Sequence, residues 1–392
     1  MTDPLRAELR QRFRSQSEFA DGYSPLYASI FAIVGGWLAG DEPDPVVDWL
    51  LNAANGRAPF DVTLLLAAAL HREVLAGRGD DLARYFPTAG HSLDGGDKAM
   101  AVTLPLALRE TILSRGDSLA QFIRTANVQT NETGRGLAWL LPVACLGWEA
   151  VHLVELGASA GLNLVADRRS YRIADATDPS QTLLQLGEPP PQFTTLARGM
   201  GEIPPLACCP TVLSRTGGDM MPFRLHSADD ELMLASYVWG DQVSRMDRLR
   251  EGIAALHAVE ASAAPVRLAQ LTLPDGLPEF LAGQLPQPLD APVVIFNTTV
   301  TFYLPDRGVS LRPTLDEWAA SQSVPVLWLQ WEPWWDGPPP PENEWFAWTA
   351  DLWPNDGLGS RQHFHLAWVQ PHGTALEWAA GWEKFLSITM QT

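Results

Sequence analysis

The run Val151–Leu156 is short and β-rich. It stops at Gly157, and the small residues Gly157-Ala158-Ser159-Ala160-Gly161 lead straight into a helical stretch from Leu162 to about Arg169. A strand that passes through a tight small-residue turn into a helix is the opening of an α/β unit. It also divides the chain. Upstream, apolar residues recur near the helical period, as in Val62, Leu65, Leu66, Ala69 and Leu70, and no strand-like alternation is present. Downstream, short strand candidates at Val212–Ser214, Val266–Leu271, Pro292–Asn297, Val324–Gln330 and His363–Val369 alternate with helix candidates at Glu231–Ala258, Leu277–Leu285 and Thr314–Ser321. That alternation predicts a parallel, doubly wound sheet. A final strand near Thr374–Glu377 would close a late hairpin.

The expected organisation is therefore an all-helical domain over residues 1–148 and a Rossmann-like α/β domain over 149–392. The distance from Gly161 to the next acidic strand end is longer than the ~20 residues ordinary in such folds, so an insertion at about 173–207 is expected. The 392 residues suit two domains. A net charge of −19 excludes a general nucleic-acid binder, because that field repels phosphate backbones. Three cysteines, two of them adjacent as Cys208-Cys209 and none in a C-x-x-C, make neither a disulfide framework nor a zinc ribbon. The N-terminus has no apolar signal region, and no uncharged apolar window reaches ~18 residues. The expectation is a cytoplasmic protein with no membrane or nucleic-acid partner.

Val154–Asn163 admits three readings. Small residues let a ligand approach the backbone, and free N–H groups at a helix start favour a carboxylate or phosphate. With Glu155 as the acid, and Ser159 in place of a middle glycine, the segment matches the S-adenosylmethionine loop of class I methyltransferases. It is also literally G-x-S-x-G, a nucleophile elbow in which Ser159 attacks and His363, His365 or His372 serves as base. The third reading is a tight connection with no ligand. Asp219, closing the second strand, is placed to accept ribose hydroxyls and favours the first.

The chain resembles, over nearly its whole length, the bacterial family known as domain of unknown function 2332. The resemblance rests on Ser24-Pro25-Leu26-Tyr27, Thr130-Asn131-Glu132-Thr133-Gly134-Arg135, Glu155 to Asn163, Arg215-Thr216-Gly217-Gly218-Asp219 with Pro222, and Trp239-Gly240-Asp241-Gln242 with Arg248-Leu249. It implies a helical N-terminal domain and a methyltransferase-like Rossmann domain, and supplies no substrate. The family pattern has Gly-Asp where this chain has Ala269-Gln270, so adenine recognition would fall to Gln270 or Asp275.

The expected function is an S-adenosylmethionine-dependent methyltransferase acting on a small molecule or peptide. The alternatives are a serine hydrolase using Ser159 and a non-catalytic scaffold. Glu155, Gly157, Ala158, Ser159, Gly161, Asn163, Asp219 and Gln270 would line the cofactor site. Asn297, at the end of the fourth strand, would face the methyl acceptor, with Tyr303 as a candidate base. Asn131, Glu132 and Arg135 would close the mouth, unless Glu132 and Arg135 simply pair on a helix surface. Trp331 and Trp334 would form an aromatic wall, with core packing as the alternative.

Overall fold

A computed structural model describes residues 4–91, 96–129, 132–199, 209–333, 336–355 and 360–389. The chain divides into two compact units, Met1–Asn131 with Leu225–Asp247, and Glu132–Arg224 with Arg248–Thr392.

The first unit is helical. It contains α1 (Pro4–Ala20), α2 (Pro25–Ala39), α3 (Pro45–Ala54), α4 (Pro59–Leu75), α5 (Gly96–Ser114) and α6 (Gly116–Thr125). Each of α2 to α4 begins with proline, whose fixed φ suits the first helical turn, and Ser24 and Asp44 cap α2 and α3. The segment 225–247 belongs here for a specific reason. Trp239 stacks on Tyr27 with ring centroids 5.0 Å apart, and Asp241 accepts the Ser24 hydroxyl at 2.6 Å. Two of the family-like motifs, 217 residues apart at that hydrogen bond, thus build one core. The expected single helix over 231–258 is in fact two, α8 (Ala228–Ser236) and α9 (Val243–Glu260), counting α7 below. Gly240 sits in the break, pressed so closely onto Phe86 that any side chain there would overlap the ring.

The second unit is mixed α/β around an 11-stranded sheet. In chain order come α7 (Leu137–Leu146), β1 (Ala150–Leu156), β2 (Tyr171–Asp175), β3 (Thr182–Leu186), β4 (Phe193–Arg198), β5 (Thr211–Asp219), β6 (Val266–Gln270), α10 (Leu277–Gln284), β7 (Val293–Thr298), α11 (Leu311–Ala320), β8 (Val326–Glu332), β9 (Phe346–Trp353), β10 (Gln362–Val369), β11 (Ala375–Trp378) and α12 (Ala380–Thr389). The spatial order is β3-β2-β4-β11-β10-β9-β8-β7-β1-β5-β6. The five strands β6-β5-β1-β7-β8 are mutually parallel, and the order of connection reverses between β1 and β7.

Alternate residues of the central strands feed two cores. Leu153, Phe296, Leu329 and Trp331 pack with α7 and α12, while Val154, Ile295 and Trp328 pack with α10 and α11. Helices therefore cover both faces, and strands buried on both sides read as continuous apolar runs. The stretch expected as an insertion, about 173–207, overlaps β2 to β4, which span residues 171–198 and lie at one edge of the same sheet, joined through the parallel pair β4–β11. The tryptophan-rich stretch contributes β9, an extra antiparallel strand beside β8. Among the described residues, no helix is long and apolar enough to cross a membrane.

Candidate functional site

The carboxyl ends of β1, β5, β7 and β8 converge where the strand order reverses, the usual place for a ligand in an open α/β sheet. Glu155 is the penultimate residue of β1 and lies on the α7 face, 2 % exposed. One carboxyl oxygen accepts the Asn163 side-chain N–H at 3.3 Å; the other is buried with no partner, and so is Asn163 Oδ1. Burial pushes the Glu155 carboxyl well above the usual range, with Asp219 adding to the rise and Arg135 opposing it. While the carboxyl keeps its proton, Oε2 is itself an O–H donor; ionised, it and Asn163 Oδ1 are two acceptors with no protein donor.

The loop itself does not behave as an anion cradle. Gly157 and Ala158 donate their N–H groups to Gly218 O at 2.7 and 3.1 Å, Ser159 N–H goes to Asp219 Oδ2 at 2.8 Å, and Gly161 N–H to Ala158 O at 2.7 Å. The expected helical stretch is a kinked 3-10 helix over Leu162–Arg168, so no strong helix dipole faces the loop. Arg215, fully buried on β5, fastens that stretch by a two-pronged bond to Asp167 at 2.6 Å per prong. Gly157 has φ +75°, and a Cβ there would overlap the Val300 side chain; the glycine is required by the protein's own packing. Ser159 also has positive φ, +47°. Asp219 ends β5 as expected, holding Ser159 N–H and Met221 N–H with one oxygen each and keeping lone pairs for a further donor. Gln270 lies beside it in register and is exposed.

The expected roles of several residues are revised by their placement. Asn297 is completely buried, donating to Glu332 Oε1 at 2.6 Å and accepting Trp328 Nε1–H at 2.7 Å, so its amide is spent inside the protein and does not face an acceptor. Tyr303 is 67 % exposed, its ring edge-on to Phe302. Trp331 is completely buried and stacked on Trp348, with centroids 5.5 Å apart: it is core, not wall, though its indole N–H is unpartnered. Glu132 and Arg135 are both buried and do not pair as a surface couple. Glu132 caps a 3-10 turn through Gly134 N–H and meets Arg248 at 3.3 Å, while Arg135 donates to Pro371 O at 2.9 Å. Asn131, Trp334 and Cys208 lie outside the described residues.

Two of the histidines considered for a hydrolase at Ser159 are far from it. His363 and His365 stand on β10, four strand spacings or about 19 Å from β1. Ser159 leans the other way, toward β5, through its bond to Asp219. His363 is held by Asp351 at 2.9 Å, and His365 is kept neutral by burial, its pKa pulled down to about 4.

Sequence reasoning missed Glu332. Its buried carboxylate accepts from the Asn297 side chain, Val300 N–H, Thr301 N–H and the Thr301 hydroxyl at 2.6 to 3.1 Å, and so shapes the turn that covers Gly157. Its signal was present: an acidic residue closing an otherwise apolar strand, Val326–Glu332, is placed for a buried polar role.

No curated protein and no solved structure matches the chain. The family model described as an uncharacterized protein conserved in bacteria (DUF2332) matches residues 10–378, and the chain belongs to that family.

Proposed function

We infer that the protein is an S-adenosylmethionine-dependent methyltransferase acting on a small molecule or peptide, built on a Rossmann-like methyltransferase-type domain. The observation that carries this reading is the pair of unpartnered oxygens, Glu155 Oε2 and Asn163 Oδ1, at the end of β1 where the strand order reverses; a cationic ligand would ionise the carboxyl and make both acceptors for it. The parallel strands, in order of appearance 3-2-1-4-5, support the fold assignment.

The residues present fit the donor. Its ammonium group is a multiple hydrogen-bond donor with positive charge, which suits Glu155 and Asn163. Asp219 retains acceptor capacity for ribose hydroxyls, and exposed Gln270 stands beside it for the base. When bound, this donor supplies a methyl group already activated by positive sulfur. The chain's own contribution is then placement: a carboxylate that holds the cationic end, a rigid loop pinned by Gly218 O and Asp219, and an acceptor held at contact distance. A dense anion receptor is neither needed nor offered, because the loop N–H groups are already used. Titration of S-adenosylmethionine and of its demethylated product into the purified chain tests the reading; saturable binding weakened by Asp219→Ala and by Glu155→Gln supports it, and no binding of either ligand to folded protein ends it.

A further inference from the structure

On the opposite face of the sheet from Glu155, toward the amino ends of the strands, three side chains form a hydrogen-bonded chain. His152 on β1 has Nδ1 2.9 Å from the Ser214 hydroxyl of β5 and Nε2 3.0 Å from Asp290 Oδ1, just ahead of β7. The partners are 62 and 138 residues from His152 in sequence, so nothing local forces the arrangement. We propose that Ser214 is an activated nucleophile, His152 its general base and Asp290 the residue that positions the imidazole, forming a second site that takes small activated acyl esters. The proposal is independent of the methyl-transfer reading.

Three observations carry it. First, the protons can be assigned by elimination. An ionised carboxylate only accepts, so His152 Nε2 carries the hydrogen toward Asp290; in the neutral imidazole, the form a general base requires, Nδ1 is then an acceptor and the Ser214 O–H donates to it. That is the orientation a serine needs before attack, with the two ring nitrogens exchanged relative to the common arrangement. The His152 bond also holds the Asp290 carboxyl below its ordinary range, in the ionised form this assignment requires.

Second, the strand is irregular where the serine sits. Val151 pairs with Val212, but His152 pairs with Ser214, so Leu213 is a bulge residue; without it, Ser214 would not stand opposite the imidazole. Bulges of this kind re-aim side chains beside functional sites. Third, the serine is reachable. His152 is 4 % exposed, whereas Ser214 is partly exposed and the Asp290 side chain 76 % exposed. Strand β6 pairs with β5 only from Arg215 onward, so main-chain polar groups just before it meet no neighbouring strand on that side. A main-chain N–H of this stretch would be the donor for a developing oxyanion.

In the proposed step, Ser214 Oγ forms a bond to the acyl carbon as its proton passes to His152 Nδ1. The ester C–O bond breaks, and the imidazolium returns the proton to the departing alkoxide. Water, deprotonated by the same imidazole, then releases the acid and restores the serine.

The test is labelling of the full chain with a fluorophosphonate, which places phosphorus on the serine oxygen and expels fluoride, followed by peptide mass mapping. The expected result is one adduct at Ser214, none in Ser214→Ala, and labelling at least 100-fold slower in His152→Asn. Asp290→Asn, altering a side chain that is 76 % exposed, is expected to label about tenfold more slowly, with Asp290→Glu recovering part of the rate. Folded wild-type protein that gives no adduct at Ser214, or an adduct at Ser159 in its place, overturns the proposal. Equal labelling rates in wild type and Asp290→Asn overturn the role given to Asp290.

Discussion

Gly157→Ala is the sharpest probe of how the glycine loop is held. The substitution has two separable costs. At φ +75° an alanine is forced into the left-handed region, at about 1–2 kcal/mol. Its Cβ would also overlap the Val300 side chain, and such overpacking adds about 1–3 kcal/mol. The total is about 2–5 kcal/mol, a Tm loss on the order of 5–15 °C for a unit of this size. Gly147, in the same unit, isolates the first term: its φ is +68°, with nothing within 4 Å of an added Cβ. Gly147→Ala is thus expected to cost about 1–2 kcal/mol and no more. Val300→Ala removes the obstacle, so Gly157→Ala in that background is expected to cost about 1–3 kcal/mol less than in the wild type. Urea unfolding followed by tryptophan fluorescence measures all four variants. Additivity of the Gly157 and Val300 substitutions within about 0.5 kcal/mol would refute the claim that the turn after β7 closes on this glycine.

The remaining predictions concern buried carboxyls. Burial raises the Glu155 carboxyl, so the folded state keeps its proton after the unfolded chain has lost it, and stability is lost as pH rises from the ordinary carboxyl range through the folded-state value. Glu155→Gln removes that dependence: its stability advantage over wild type is expected to be smallest in acid and to grow by up to about 1.4 kcal/mol per pH unit through that window, as followed by urea unfolding between pH 5 and 8; a difference independent of pH would contradict the assignment. Glu332→Ala strands four donors at Asn297, Val300 and Thr301 and is expected to cost about 3–5 kcal/mol with faster proteolysis near residue 300; a loss under 1 kcal/mol would show that the carboxylate does not shape that turn. Arg215→Met leaves the buried Asp167 carboxylate with only the more exposed Arg168, 3.2 Å away, an expected loss of about 1.5–3 kcal/mol by the same assay, and a neutral result would remove Arg215 from the support of the loop.

The parts of this architecture that could be read from sequence are those whose physics is local. Val293–Thr298 and Val326–Glu332 are apolar on both faces, and α7 is buried along its whole length, so a continuous apolar run identified each of them. The small residues after Val154 announced the turn, and Asp219 its neighbouring strand end. Strands β2 to β4 stayed hidden because they are short and only half-buried at a sheet edge, in a stretch interrupted by Pro189-Pro190-Pro191. The helix over 231–258 was misjudged because its apolar residues run on across Gly240, while the break is set by Phe86, far away in the chain.

At the site, Glu155 and Asp219 were legible because each closes a strand beside glycines. The inward turn of Asn297 was not, since it depends on Glu332 and Trp328, and neither lies near it in sequence. Nor does periodicity or motif reveal that three successive loop N–H groups are consumed by Gly218 and Asp219. That non-local detail changes the chemistry on offer, from a loop of free N–H groups to a loop whose N–H groups are spent beside a buried carboxyl.

The central claim is that Glu155 and Asn163 receive the cationic end of S-adenosylmethionine. Calorimetric titration of that ligand into wild type and Glu155→Gln, with thermal unfolding run on both, tests it most directly. The account predicts saturable binding to wild type and an affinity at least tenfold weaker in Glu155→Gln, whose fold is retained. Folded wild-type protein that takes up no ligand, or equal affinity in the two proteins, would contradict it.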